Sequence, residues 1–392
     1  MTTLGLALTL VGAGLFGPGV PAAHSAPQPA PLTTEAAGCD RLLPSRWRDA
    51  AGWPQDRLDL AAAARYSTGE GVLVAVVDTG VSRANPQLTD AVVGGRSFVS
   101  EDSVVATVDC DGHGTLAAGI IAARPIDDSG LVGIAPDAGV LAYRYAAGGD
   151  KGSRAKAMAQ AIVAAVDDGA QVVNVSSVTL SNLNDLRDAV EYAEDHDVLI
   201  VAAAGNSGDQ GDEVTYPARY PGVMAVAAVD ANGAWWDKSQ TSVPISVAAP
   251  GVGVLGSAPI AGNAAGDGTS FAAPYVAGLA ALVRSKFPDL TAQEVKRRIE
   301  ATADLPSGHV PHPTMGYGTI NPERALTEVL PAESEPSPAT PRQAVAMAPL
   351  PVPAGRDARL RDRSIALAVA MIGLALLGAA TTMAIRRTRM RR

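Results

Sequence analysis

Hydrolysing an amide or ester through a serine needs a hydroxyl, a base for its proton, a carboxylate to orient the base, and donors for the oxyanion. Four segments of this 392-residue chain could supply those parts. Val76-Val77-Asp78-Thr79-Gly80 sets an acid at the end of an apolar run, and Asp111-Gly112-His113-Gly114-Thr115 sets a histidine between two glycines. Ala203-Ala204-Gly205-Asn206 ends a second apolar run in an amide, and Gly268-Thr269-Ser270-Phe271-Ala272-Ala273-Pro274 places a serine before a long apolar stretch. Each segment alone is weak. Asp-Thr-Gly occurs in aspartic proteases too, an asparagine after glycine can cap a turn, and a serine before a helix is commonly an N-cap. Together, in the order Asp, His, Asn, Ser, the four segments offer an acid at Asp78, a base at His113, an amide donor at Asn206 and a hydroxyl at Ser270.

These groups need a frame that brings distant segments together. Val72–Val77, Val172–Val175, Leu199–Ala203 and Val223–Val229 read as buried strands. Leu116–Ala123, Arg154–Asp168 and Asp185–Asp195 read as helices. Ser270–Phe287 reads as a helix buried on nearly all sides. Thr291-Ala292-Gln293-Glu294 is a capping box that opens a helix reaching about Thr302. Strands alternating with helices predict an α/β domain, a parallel sheet covered on both faces. In such sheets functional groups collect at strand ends and helix starts.

Composition narrows the chemistry. The net charge of −9 argues against a general affinity for nucleic acid or acidic lipid. Two cysteines, Cys39 and Cys110, are too few for a zinc or iron–sulfur site. Asp127, Asp128 and Asp137 lack the spacing of a calcium loop. His309 and His312 sit among prolines as a solvent loop, and Asp109 and Asp111 read as a solvated turn, with tuning of His113 as the alternative. No metal and no cofactor is expected.

The ends of the chain address it to a membrane. Residues 1–25 read as a signal peptide, with an apolar run from Leu4 to Val20 and Ala23-His24-Ser25 as the cleavage pattern. No Lys or Arg precedes that run, and an uncleaved anchor is the alternative. An exported chain with two cysteines reads as holding one disulfide, Cys39–Cys110, with two buried thiols as the alternative. Residues 26–68 form an extension whose Trp47, Trp53, Leu58 and Leu60 dock on the main domain, residues 69–330. Residues 331–363 are a Pro-rich linker, and 364–385 a transmembrane helix containing 21 consecutive uncharged residues from Ile365 to Ile385. Residues 386–392 hold five arginines, a basic tail that keeps the C-terminus cytoplasmic and the large domain outside.

From Gly69 to Leu330 the sequence resembles the subtilisin-like (S8) serine proteases. The likeness runs through the four segments above and through Tyr216-Pro-Ala-Arg-Tyr-Pro-Gly-Val and Val247-Ala-Ala-Pro-Gly. It implies a serine endopeptidase with triad Asp78, His113 and Ser270 and oxyanion-hole Asn206. It also implies substrate binding along Asn174–Val178, with Ser176 and Ser177 as its contacts. The signal peptide, Cys39 in the extension, Cys110 three residues before His113, and the linker and span resemble the mycosins, proteases associated with actinobacterial type VII secretion. That likeness implies protein substrates exported through the envelope and a secretion complex as partner. Two features depart from subtilisins: there is no room for a long inhibitory pro-domain before Asp78, and the glycine usual after the serine of the substrate strand is absent. A structural subunit with a vestigial site is the rival reading, and the complete triad favours the enzyme.

Overall fold

The computed structural model describes residue 46 and residues 52–99, 104–146, 151–306 and 308–330. Two units separate along the chain, Met1–Glu333 and Ser334–Arg392, and every described residue belongs to the first. The signal peptide, Cys39, Trp47, the linker, the proposed span and the basic tail lie outside the described residues.

Two short helices come first, α1 (Trp53–Arg57) and α2 (Leu60–Ala63). Then follow β1 (Leu73–Asp78), β2 (Val92–Ser97), α3 (His113–Ala122), β3 (Gly139–Arg144), α4 (Lys151–Asp167) and β4 (Val172–Val175). Next come α5 (Asn184–Asp195), β5 (Leu199–Ala203), β6 (Met224–Val229) and β7 (Ile245–Pro250). A hairpin of β8 (Val254–Ser257) and β9 (Asn263–Gly266) leads into α6 (Thr269–Lys286), α7 (Ala292–Thr302) and α8 (Pro322–Thr327).

Strands β1 to β7 form one sheet in the order β2-β3-β1-β4-β5-β6-β7, with every neighbour parallel. Side chains alternate across it, as a pleated strand requires. Val74 and Val76 enter the core beneath α3 and α6, while Ala75 and Val77 enter the core beneath α4 and α5. Burial on both faces is why the inner strands are unbroken apolar runs. Leu116, Ile120, Ile121 and Leu279 are almost wholly enclosed, each stabilising by roughly 1.5–3 kcal/mol against full exposure.

The four expected strands and the expected helices are present, with ends moved by up to three residues. Helix α6 is buried from Thr269 to Arg284, which small residues permit by letting it lie against the sheet. Helix α3 begins at His113 itself, three residues earlier than its apolar run. Trp53 packs partly buried on the core and donates its indole N–H to the Val252 carbonyl at 3.0 Å. Leu58 is buried, and Leu60 packs beside it.

The capping box of α7 is complete: Thr291 Oγ1 accepts from Glu294 N, and the Glu294 carboxylate accepts from Thr291 N at 2.8 Å. Thr291→Ala should lower stability by about 1 kcal/mol and Tm by roughly 2–4 °C, with peptide hydrolysis unchanged. Paired calorimetry and activity assays check this; an unchanged Tm would show the cap to be dispensable.

Candidate active site

Asp78 ends β1 in the middle of the sheet, opposite Arg144 of β3, with its neighbour Val77 opposite Val175 of β4. Its carboxylate has no solvent exposure. A buried charge persists only when paired and hydrogen-bonded. Oδ1 accepts from the Thr79 amide at 2.7 Å, and His113 Nδ1 lies 2.8 Å from Oδ1 and 3.0 Å from Oδ2.

His113 reaches Asp78 because α3 starts against the turn after β1. Gly114 N donates to Thr79 Oγ1 at 3.0 Å, and a Cβ on Gly114 would fall 2.1 Å from the Gly80 carbonyl. No residue other than glycine fits that approach. Asp109 completes the start of the helix. Its Oδ1 accepts from Asp111 N and Gly112 N, and its Oδ2 from the amide and hydroxyl of Thr115. The expectation of a solvated turn at Asp109 was therefore wrong: the residue is 2% exposed and works as a helix cap. Burial raises its pKa, against the hydrogen bonds from Gly112 and Thr115 that lower it. Asp111 is exposed and accepts from the His113 amide.

Ser270 is the second residue of α6 and 6% exposed. Its N–H is among the first four helix donors, which no helix carbonyl can satisfy. The adjoining Phe271 ring lies 4.9 Å from the His113 ring, centroid to centroid, tilted by 44°. Gly268 measures the remaining gap: the position of a Cβ there would be 3.0 Å from both Ser270 Oγ and Asn206 Nδ2. Serine hydroxyl and amide nitrogen thus border one small space.

The Asn206 amide is oriented by its neighbours. Its Oδ1 accepts from the amide and the hydroxyl of Thr269, both at 2.8 Å, which turns Nδ2 away as a free-facing donor. Thr269 Oγ1 in turn accepts from Gly205 N at 3.0 Å. Thr269 is a positioning residue that sequence reading passed over; its place directly before Ser270 was the available signal. Ser177 borders the cleft, whereas Ser176 is 3% exposed and accepts from Asn174 Nδ2 at 2.8 Å, so its side chain faces inward. His312 is held by Thr314 in a separate loop.

Burial of the His113 ring opposes its charged form. The Asp78 charge and hydrogen bond, with smaller help from Asp111 and Asp109, outweigh this and raise its pKa from 6.5 to about 9. Such a site brings a histidine paired with a buried carboxylate, a serine hydroxyl and N–H donors to the C-terminal edge of a parallel sheet, the groups of a serine hydrolase.

Comparison with known proteins carries this further. The subtilase family model (peptidase S8) matches residues 69–318, and the chain belongs to that family of serine proteases, with the subtilisin-like α/β fold. Mycosin-3 of Mycobacterium tuberculosis is 35% identical, over 98% of this chain and 97% of that protein, which places the chain among the mycosins. A crystal structure of MycP1 from Mycobacterium smegmatis is 31% identical with a TM-score of 0.66, covering 76% of this chain and 90% of that one. A chain in the structure of an intact ESX-5 inner membrane complex is 30% identical with a TM-score of 0.65, covering 87% of this chain and 92% of that one.

The raised pKa has a consequence for stability. A group whose folded pKa exceeds its unfolded value contributes fully below the unfolded pKa, here about 6.5, and the contribution is lost as pH rises through about 9. The stability gap between the chain and His113→Ala should therefore narrow from pH 6 to pH 10. Paired urea unfolding at the two pH values measures it, and a constant gap would mean that the two groups are not coupled.

Proposed function

We propose that this protein is an endopeptidase that cleaves exported proteins outside the membrane through an acyl-enzyme on Ser270. The observation that carries the reading is the His113–Asp78 contact, set beside Ser270 and an Asn206 amide whose oxygen is already engaged. With Nδ1–H donated to Asp78, the other ring nitrogen is the base. It takes the Ser270 proton as Oγ attacks the scissile carbonyl, and Asp78 stabilises the imidazolium that results. Asn206 Nδ2 and the Ser270 N–H hold the oxyanion. His113 then protonates the leaving amine, and water releases the acyl group by the same steps.

The enzyme works with a type VII secretion complex. This is supported by the likeness to mycosins and to a chain of the ESX-5 inner membrane complex. Residues 1–25 direct export, and residues 364–385 anchor the chain, an apolar length that fits a bilayer. The protease domain, residues 69–330, then lies outside the membrane, joined to it by the linker 331–363, with the basic tail 386–392 inside. Cys39 and Cys110 form a disulfide that staples the extension, residues 26–68, beside the His113 turn. In its favour, Cys110 is not a free thiol and Cys39 is the only other cysteine in the chain.

A fluorophosphonate probe should label the full-length protein, and Ser270→Ala should abolish labelling. Ser270→Ala or His113→Ala should lower kcat on the order of 10⁶-fold, the scale set by subtilisin itself. Asn206→Ala should cost roughly 10²–10³, since one oxyanion donor remains. Most activity surviving in either triad variant would sink the assignment. Because only neutral His113 accepts a proton, kcat/KM should rise along a limb above the ordinary histidine pKa of about 6.5. Asp111→Asn removes one charge that favours imidazolium and should move that limb toward acid pH; a shift toward alkali would refute this account.

A further inference from the structure

The strand order reverses around β1, because the chain builds β2 and β3 on one side of it and β4 to β7 on the other. Open parallel sheets bind ligands outside the carboxyl ends of the strands at such a reversal. A pocket of about 230 Å³ opens there, between the ends of β3 and β4 and the first turns of α4. It adjoins the catalytic acid directly, since Tyr145 N donates to the Asp78 carbonyl at 3.0 Å. Tyr145, 4% exposed, lies on one side, and its hydroxyl bonds to Ser177. Burial pushes the Tyr145 pKa well up and keeps it neutral. Met158 is buried at the wall, while Val178 and Leu180 stand 38% and 46% exposed at the mouth.

One charged side chain lines this space, that of Arg154. It is exposed and makes no ion pair among the described residues. Some surface arginines are matched, Arg96 with Asp168, Arg124 with Asp137 and Arg324 with Glu328, while Arg57, Arg65, Arg187 and Arg219 likewise make no ion pair among the described residues. What sets Arg154 apart from these is its place at the mouth of an apolar pocket that adjoins the catalytic acid.

We propose that this pocket receives a glutamate side chain of the substrate, within a few residues of the scissile bond. The proposal rests on the protease reading above. A glutamate matches the site in both parts: its methylenes lie along Met158, Val178 and Leu180, and its carboxylate meets the planar guanidinium in a two-point hydrogen bond. Aspartate offers the charge without the apolar stem. Glutamine offers the stem without the charge, and lysine sets like charge against Arg154.

The test uses the full-length protein in detergent and quenched fluorescent Ala-rich peptides, with Glu, Gln or Lys scanned through the four positions on the acyl side. At one position kcat/KM should fall from Glu to Gln by about fivefold and again from Gln to Lys, and added salt should shrink the difference. Arg154→Gln should remove the preference, and Arg154→Glu should invert it toward Lys. In both variants fluorophosphonate labelling in the absence of peptide should persist, which separates a lost preference from a damaged catalytic centre. Should turnover be slow, protection of Ser270 from the probe by the same peptides gives the same order. Labelling with equal use of Glu and Gln at every position overturns the inference alone, as does a preference that Arg154→Glu leaves in place. Absence of labelling overturns the protease reading, and this proposal with it.

Discussion

Asp78 is a carboxylate without access to water, and the surrounding structure follows from that. Burying an unpaired charge costs several kcal/mol at the least, so the end of β1 demands a partner. His113 supplies it, but only if α3 begins within contact of the turn after β1. That approach excludes a Cβ at Gly114 and needs the amides at the helix start to find acceptors elsewhere. Asp109 provides them, taking four donors onto one carboxylate. The second buried acid is thus a consequence of the first.

The same pairing sets a conflict between stability and reactivity. Asp78 favours imidazolium, so the contact stabilises the fold most when His113 is protonated and unable to act as a base. The ring becomes a base as the pair gives up that contribution. The oxyanion side has no such conflict, because its donors are neutral. Asn206 is fixed by Thr269, and Thr269 is fixed in turn by Gly205, so the orientation of the amide survives any change in protonation.

The site was more legible in the sequence than the fold around it. Asp78, His113, Asn206 and Ser270 each sit where an apolar run meets glycine, and that juxtaposition reads directly as a strand end or helix start. The inner strands β1, β4, β5 and β6 read from continuous apolar runs. Strand β2 did not, because it lies at the sheet edge, carries Gly94 and Gly95, and exposes four of its six residues. Strand β7 ends in Pro250, which an edge strand tolerates and a central one would not. Asp109 was misread because an acid beside another acid and a cysteine resembles a surface turn; nothing local reveals that four donors converge on it. Ser176 and Ser177, just beyond β4, are neighbours with opposite fates: Ser176 turns inward to accept from Asn174, and Ser177 borders the cleft.

The segment before β1 bears on the nucleophile as well as on the core. Trp53 bonds to the Val252 carbonyl, and Arg46 pairs with Asn263 in both directions across β9. The residues it grips continue toward Ser270: Gly268 N donates to the Gly251 carbonyl at 2.7 Å, and Gly253 N bonds to the Asp267 carboxylate. Leu58 and Ala63 are themselves buried core. The described part of the segment is thus bonded on one side of the turn that leads to Gly268 and packed into the core on the other, so the same few residues join the start of the domain to the strand and turn before Ser270.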